Sequence, residues 1–261
     1  MTSRSEMMSV FLKGKVALVT GAGRGIGQAV ALALAAEGAR VAVVARSAEE
    51  LSATTKLVED LGGIGFAITA DLSDPLAVAH VVERTSAALG PVDVLVNNAA
   101  TVEPLGRSCD MDPGLWGASF RLNVITPATL SAAVLPPMSY AGWGRIVNVS
   151  SGLVARPATM IGGNAYAATK AALEAHTLNL ATELDGTGVT ANVYRPGSVD
   201  TAMQALIRLK GDGRLDQDTH ARFVHNHEHG NLITPEESAR SLVDRLAGNA
   251  TGEIWDVADS R

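Results

Sequence analysis

Cysteine is almost missing from this chain of 261 residues: Cys109 stands alone. One thiol makes neither an internal disulfide nor a cysteine zinc cluster, and such usage fits a reducing compartment. Aromatic residues are scarce, at 4%, while glycine is plentiful, with 26 copies. That balance predicts helices packed closely on a sheet, with backbone brought near something at several points. Positive charge is not in excess either. The net charge of −6 argues against a nucleic-acid or anionic-membrane surface. The longest nearly apolar run, residues 26–36, falls well short of the roughly 20 residues a membrane-spanning helix needs. Residues 1–9 are polar and mixed, carrying Arg4 and Glu6 without an apolar core, which excludes a secretory signal. These absences predict a soluble, cytoplasmic protein with a flexible N-terminal arm over residues 1–12. The 47% hydrophobic content excludes disorder, and the length suits a sizeable core.

Short β-branched runs alternate with Ala/Leu-rich stretches of helical period. Strands are expected at 16–20, 41–45, 65–69, 92–96, 145–150 and 189–194, nearly continuous in apolar character as strands buried on both faces are. Helices are expected near 26–37, 48–61, 75–89, 112–135 and 165–185. Asp74-Pro75 and Thr234-Pro235-Glu236-Glu237 read as helix starts, the second with a capping box. Such alternation predicts a doubly wound parallel β-sheet with helices on both faces, the Rossmann class. No linker or repeat divides the chain, so residues 13–261 read as one domain. Its least regular part, 198–231, is a candidate substrate lid hinged near residues 210–213.

The first strand runs into Thr20-Gly21-Ala22-Gly23-Arg24-Gly25-Ile26-Gly27, and a helix follows at once. Glycine permits the turn, the close approach of a pyrophosphate and the packing of helix on strand, and the helix N-terminus offers unpaired N–H groups. No Gly-Lys-Ser/Thr follows, which excludes a kinase-like phosphate loop. A ribose diol calls for an acid about 20 residues on. Here the second strand ends at Ala45-Arg46, with no acid before Glu49. Arg46, with Arg24 from the loop, suits a dianionic 2′-phosphate instead.

Tyr166 and Lys170 stand four apart at the start of an Ala-rich helix, so they share a face. A neighbouring ammonium is expected to lower the phenol pKa toward neutrality, making Tyr166 an acid–base group. Asn97-Asn98-Ala99-Ala100 and Asn148-Val149-Ser150-Ser151 end two strands at the carboxyl edge, where ligands bind in parallel sheets.

In this order the Gly loop, Asp71, Asn97-Asn98-Ala99, Asn123, Ser151, Tyr166, Lys170 and Pro196-Gly197 resemble the short-chain dehydrogenase/reductase family, in its NADP-preferring branch near 3-oxoacyl carrier-protein reductases. The resemblance covers residues 13–257. It implies that Tyr166 moves the proton, Ser151 holds the substrate oxygen (with Ser150 as fallback), Lys170 grips the nicotinamide ribose, and Asn123 anchors a relay water. It further implies that Asp71 and Leu72 bound the adenine pocket, Asn97 and Ala99 shape the cofactor site, and Pro196, Gly197, Val199 and Thr201 lie against the nicotinamide. NADP(H) is the expected cofactor, and a homotetramer the expected assembly, with a dimer second. Two departures stand out: Ala100 replaces the usual glycine, and the spacing from Ser151 to Tyr166 is about two residues long.

The expected substrate is a carbonyl or secondary alcohol with an apolar body lodged among Leu153, Val154, Met160, Ile161, Met203, Leu206 and Ile207. An acyl thioester and a cyclic ketone both remain open. Rival readings are an NAD-linked alcohol or hydroxysteroid dehydrogenase, which an acid at position 45 would have favoured, and a non-catalytic dinucleotide-sensing scaffold, which has no need of a proton donor. His225, His227 and His229 alternate as metal ligands on a strand could, but they read as a solvated loop, and no metal is expected.

Overall fold

The computed structural model describes residues 11–260. The chain runs β1 (Val16–Thr20), α1 (Gly25–Ala36), β2 (Arg40–Ala45), α2 (Ala48–Asp60), β3 (Ile64–Thr69), α3 (Pro75–Leu89) and β4 (Val94–Asn97). It continues through α4 (Pro113–Phe120), α5 (Thr126–Ala141), β5 (Gly144–Val149), α6 (Asn164–Glu183), β6 (Val189–Arg195), α7 (Ala202–Lys210), α8 (Gln217–Glu228), α9 (Pro235–Arg245) and β7 (Ile254–Asp256).

All seven strands are parallel, in the order β3-β2-β1-β4-β5-β6-β7. Every residue of β1, β4 and β5 is buried, which is why these runs carry no polar alternation. One face packs against α1, α2 and α9 through Val30, Leu34, Leu51 and Leu242. The other takes α3, α5 and α6 through Val81, Leu130, Val134 and Leu180. The order reverses direction between β1 and β4, and the crevice at their carboxyl ends is where such sheets bind ligands.

Local chemistry starts the helices where expected. Ser47 accepts from the Glu50 N–H, Asp74 accepts from the Leu76 N–H, and Thr234 and Glu237 close the capping box. Four expectations need correction. The helix expected over 112–135 is α4 and α5 joined by a π turn at Arg121–Ile125. Pro127 has no N–H to return to residue 123, and the Thr126 N–H reaches back to the Arg121 carbonyl instead. The run Pro113–Ala141 is therefore long and apolar enough to cross a membrane by length and composition, yet Leu130, Val134 and Met138 bury it against the sheet.

The irregular segment expected at 198–231 contains two helices, α7 and α8, capped by Thr201 and Asp216. Residues 210–213, read as a hinge, include the glycines that link them. The alternating histidines lie in and just beyond α8 rather than on a strand or in a loop: His225 and His229 stack at 3.9 Å, while His227 falls on another side of the helix. Finally, residues 1–10 of the expected arm lie outside the described residues, but Phe11 packs edge-on against Trp143 and Leu12 is buried in the core.

Candidate active site

The glycine loop is tight because no side chain fits. A Cβ on Gly27 would strike the Gly21 carbonyl, and one on Gly21 would lie 2.9 Å from the Ala99 Cα. Gly21 and Gly25 also hold positive φ, +64° and +57°. Asn98 secures the loop by donating from Nδ2 to the Thr20 carbonyl at 2.9 Å. Among the described residues no side chain caps α1, so its first N–H groups are left to an incoming anion. This cradle fits the pyrophosphate of a dinucleotide.

A cavity of about 490 Å³ opens beside the loop. Ile26, Ser151, Tyr166, Lys170, Pro196, Gly197, Val199 and Thr201 line it, as do Ala100 and Asn98. Thr201 caps α7 and packs over the Gly loop, its Cγ2 3.4 Å from where a Gly25 Cβ would stand. Gly197, at φ +79°, turns the chain out of β6. Leu153, Met160, Met203 and Ile207 form the expected apolar side, joined by Phe223. Val154, Ile161 and Leu206 fall outside this lining, and Ile161 is exposed. Arg156 and Arg222 also line the cavity.

Tyr166 and Lys170 do share a helix face, but the electrostatics differ from expectation. The Lys170 Nζ donates to the Val149 carbonyl at 2.7 Å and lies 5.8 Å from the centre of the Tyr166 ring. Burial pushes the phenol up to about 12, opposed by its hydrogen bond with Ser151. Burial likewise pulls the lysine down to about 8, against the opposing pull of Glu174. The lowered phenol pKa read from sequence is thus overturned: in a dry site, desolvation outweighs an ammonium aimed elsewhere.

Ser151 faces the cavity, accepting from the Leu153 N–H, whereas the Ser150 hydroxyl is committed to Glu174 at 2.7 Å. Asn123 sits in the π turn, fully buried. It accepts from the Thr101 N–H and donates to the Thr101 carbonyl, both at 2.8 Å, and to Thr169 Oγ1 at 3.0 Å. It therefore braces the loop after β4 against α6 rather than lining the cavity. Asn97 is buried too, donating to Asn148 Oδ1 at 2.8 Å; its neighbour Asn98 is the residue at the loop.

At the opposite end, Asp71 is held low by two hydrogen bonds from Ser73 and, more weakly, by Arg46. Leu72 is buried, its carbonyl accepting from Thr126 Oγ1. Arg24 does not stand free beside Arg46: it pairs with Glu50 at 3.1 Å. Sequence reasoning missed Glu50 because it sits five residues beyond position 45, where an acid was expected. It also missed Glu174, bidentate to Arg195 at 2.9 and 2.7 Å. Its spacing of four from Lys170 was the available signal.

A family model described as short chain dehydrogenase matches residues 15–211. The chain is 38% identical over 252 residues to 3-oxoacyl-[acyl-carrier-protein] reductase FabG of Escherichia coli, covering 94% of this chain and 96% of that one. It is 39% identical over 196 residues to a short chain dehydrogenase of Pseudocercospora fijiensis, covering 74% of this chain and 62% of that protein's length. Among solved structures, a blue fluorescent protein from a metagenomic library, in complex with NADPH, is 36% identical with a TM-score of 0.81, covering 94% of this chain and 97% of that one. Fold, site and relatives define an oxidoreductase class built on a parallel dinucleotide-binding sheet. This chain belongs to the short-chain dehydrogenase family.

Proposed function

We propose that this protein transfers hydride between NADP(H) and a carbonyl or secondary alcohol carrying an apolar body. The observation that carries the reading is the convergence of the Tyr166 phenol and Ser151 on one cavity that begins at the Gly loop and ends in an apolar wall. The relatives support it, one being a 3-oxoacyl reductase and one a structure with NADPH.

The dinucleotide, when bound, supplies or accepts the hydride. Gly21, Gly23, Gly25 and Gly27 with the α1 N-terminus would cradle its phosphates, Pro196, Gly197, Val199 and Thr201 its nicotinamide end, and Arg46 with Arg24 its 2′-phosphate. The phenol, kept protonated by burial, is in the state required to donate a proton to a substrate oxygen as charge develops there. Ser151 would hold that oxygen by a hydrogen bond. Lys170, still charged near neutral pH, lies behind the phenol and favours the phenolate once the proton has left. The apolar side chains exclude water and take the substrate body.

Cytoplasmic location and a homotetramer, with a dimer second, belong to the same reading. The decisive experiment is a carbonyl screen read by NADPH oxidation. Turnover of at least one ketone or 3-oxoacyl thioester is expected, and none across both classes would overturn the proposal.

A further inference from the structure

The corner where β1 and β2 end holds a carboxylate that belongs to neither strand. Glu50, the third residue of α2, reaches back over the Gly loop. A Cβ built on Gly23 would lie 2.8 Å from Glu50 Oε2 and 3.4 Å from the Ala45 Cβ. The carboxylate thus fills the angle between the loop and position 45, where a ribose diol seeks an acceptor. Its placement is built in. Ser47 fixes the Glu50 N–H at 3.2 Å, and Thr54, one turn on, binds the Ala22 carbonyl at 3.0 Å, tying α2 to the loop. Oε1 takes Arg24 Nη1 at 3.1 Å.

We infer that Glu50 is a cofactor-selectivity residue, opposing the 2′-phosphate and accepting the unphosphorylated ribose diol. This rests on the reading that the corner receives the adenosine ribose. With a diol bound, Glu50 can accept a hydroxyl while Arg24 stays paired. With a dianionic phosphate, Arg24 must leave Glu50 to join Arg46, and the carboxylate is left beside a like charge. The Arg24 side chain is 66% exposed and that of Glu50 36%, so the pair is weak enough to exchange. A pair that merely steadied the loop would act on both dinucleotides alike.

Calorimetric titration of the whole chain with NADP+, NAD+ and 2′,5′-ADP tests this by binding, independent of turnover. Glu50→Gln keeps the shape and removes the charge. It is expected to raise the affinity ratio of NADP+ over NAD+ about tenfold, with 2′,5′-ADP tightening in step. Glu50→Asp, which withdraws the carboxylate by one methylene, moves the ratio the same way by less. In an Arg24→Ala background the carboxylate faces the phosphate without its partner, so Glu50→Gln raises the ratio at least as much as it does alone. Equal shifts for both dinucleotides, or an unmoved ratio, overturn the inference and leave the proposed function standing. A wild-type chain that binds neither dinucleotide overturns both.

Discussion

The Lys170 ammonium is bound to the Val149 carbonyl, not to the Tyr166 phenol one helical turn away. A buried ammonium needs an acceptor, and the end of β5 supplies one, backed by the Glu174 carboxylate. Burial therefore keeps the phenol protonated, and in the proposed reaction the lysine acts on it through its charge.

Tyr166→Phe removes the proton donor with little change of shape. General acid catalysis contributes roughly 10²–10⁴-fold, so carbonyl reduction should fall by that range. NADPH binding, followed by fluorescence, should stay near wild type. A variant retaining half its activity would remove the phenol from its role.

The two shifted groups also give a signed pH dependence. With Lys170 at about 8 when folded and near 10.5 unfolded, the unfolded chain holds the extra proton between those values, so this lysine makes stability rise with pH there. With Tyr166 at about 12 against 10, the folded chain holds the extra proton from pH 10 upward, and its contribution is lost toward pH 12. Denaturant unfolding of wild type and Lys170→Met from pH 7 to 10 should show the difference moving in favour of wild type. Reductive kcat/KM should decline above about pH 8, and Glu174→Gln should move that inflection to lower pH. A flat difference, or an inflection that stays put, would count against the buried ammonium.

In the proposed reaction the 2′-phosphate is met by Arg46 and by Arg24 once it leaves Glu50. A charged hydrogen bond is worth about 1.5–3 kcal/mol, so NADPH should exceed NADH in kcat/KM by roughly tenfold to hundredfold. Higher salt should narrow the gap, since Arg24 and Arg46 are exposed. Ala45→Asp with Arg46→Ala should reverse the preference in steady-state kinetics with both cofactors.

Gly27→Ala tests the cradle. Its methyl would collide with the Gly21 carbonyl and with Asn98, a clash costing about 1–3 kcal/mol. Thermal unfolding should report the loss, and dinucleotide binding should fall with it.

Helices α7 and α8 bury little, Ile207 in one and Thr219 in the other. Their amides should exchange faster than those of α1 in the free protein and slow when dinucleotide and substrate bind. Equal protection in both states would make them a fixed wall.

Six strands of the sheet were readable because they carry Val- and Ala-rich runs, and the helix starts because Asp74 and Thr234 announce themselves; the three-residue β7, with Ile254 exposed, has no such run and was missed. That Ser151, Tyr166 and Lys170 come together at one cavity was legible because their order and spacing are local. Other features depend on tertiary placement. The π turn around Asn123 has no sequence signature beyond Pro127, and the polar sequence of α8 hides a helix whose inner side is a narrow stripe. Glu50 became visible only once α2 was laid over the loop. The direction of the tyrosine shift is set by burial of the phenol, which spacing does not say.

The strand order also has a consequence in time. Residues 16–69 complete β1, β2 and β3, which pair with one another, so the dinucleotide cradle can begin to form early in synthesis. The other edge of β1 waits for Val94 to meet Ala17. The wall containing Asp256 waits for β7, whose Trp255 pairs with Tyr194. Until Val94 arrives, β1 presents an open edge able to recruit a strand from another chain. Pairings this distant in sequence form slowly, so a nascent chain stalled before residue 94 is the species most exposed to aggregation, and early dinucleotide binding cannot protect an edge that only β4 covers.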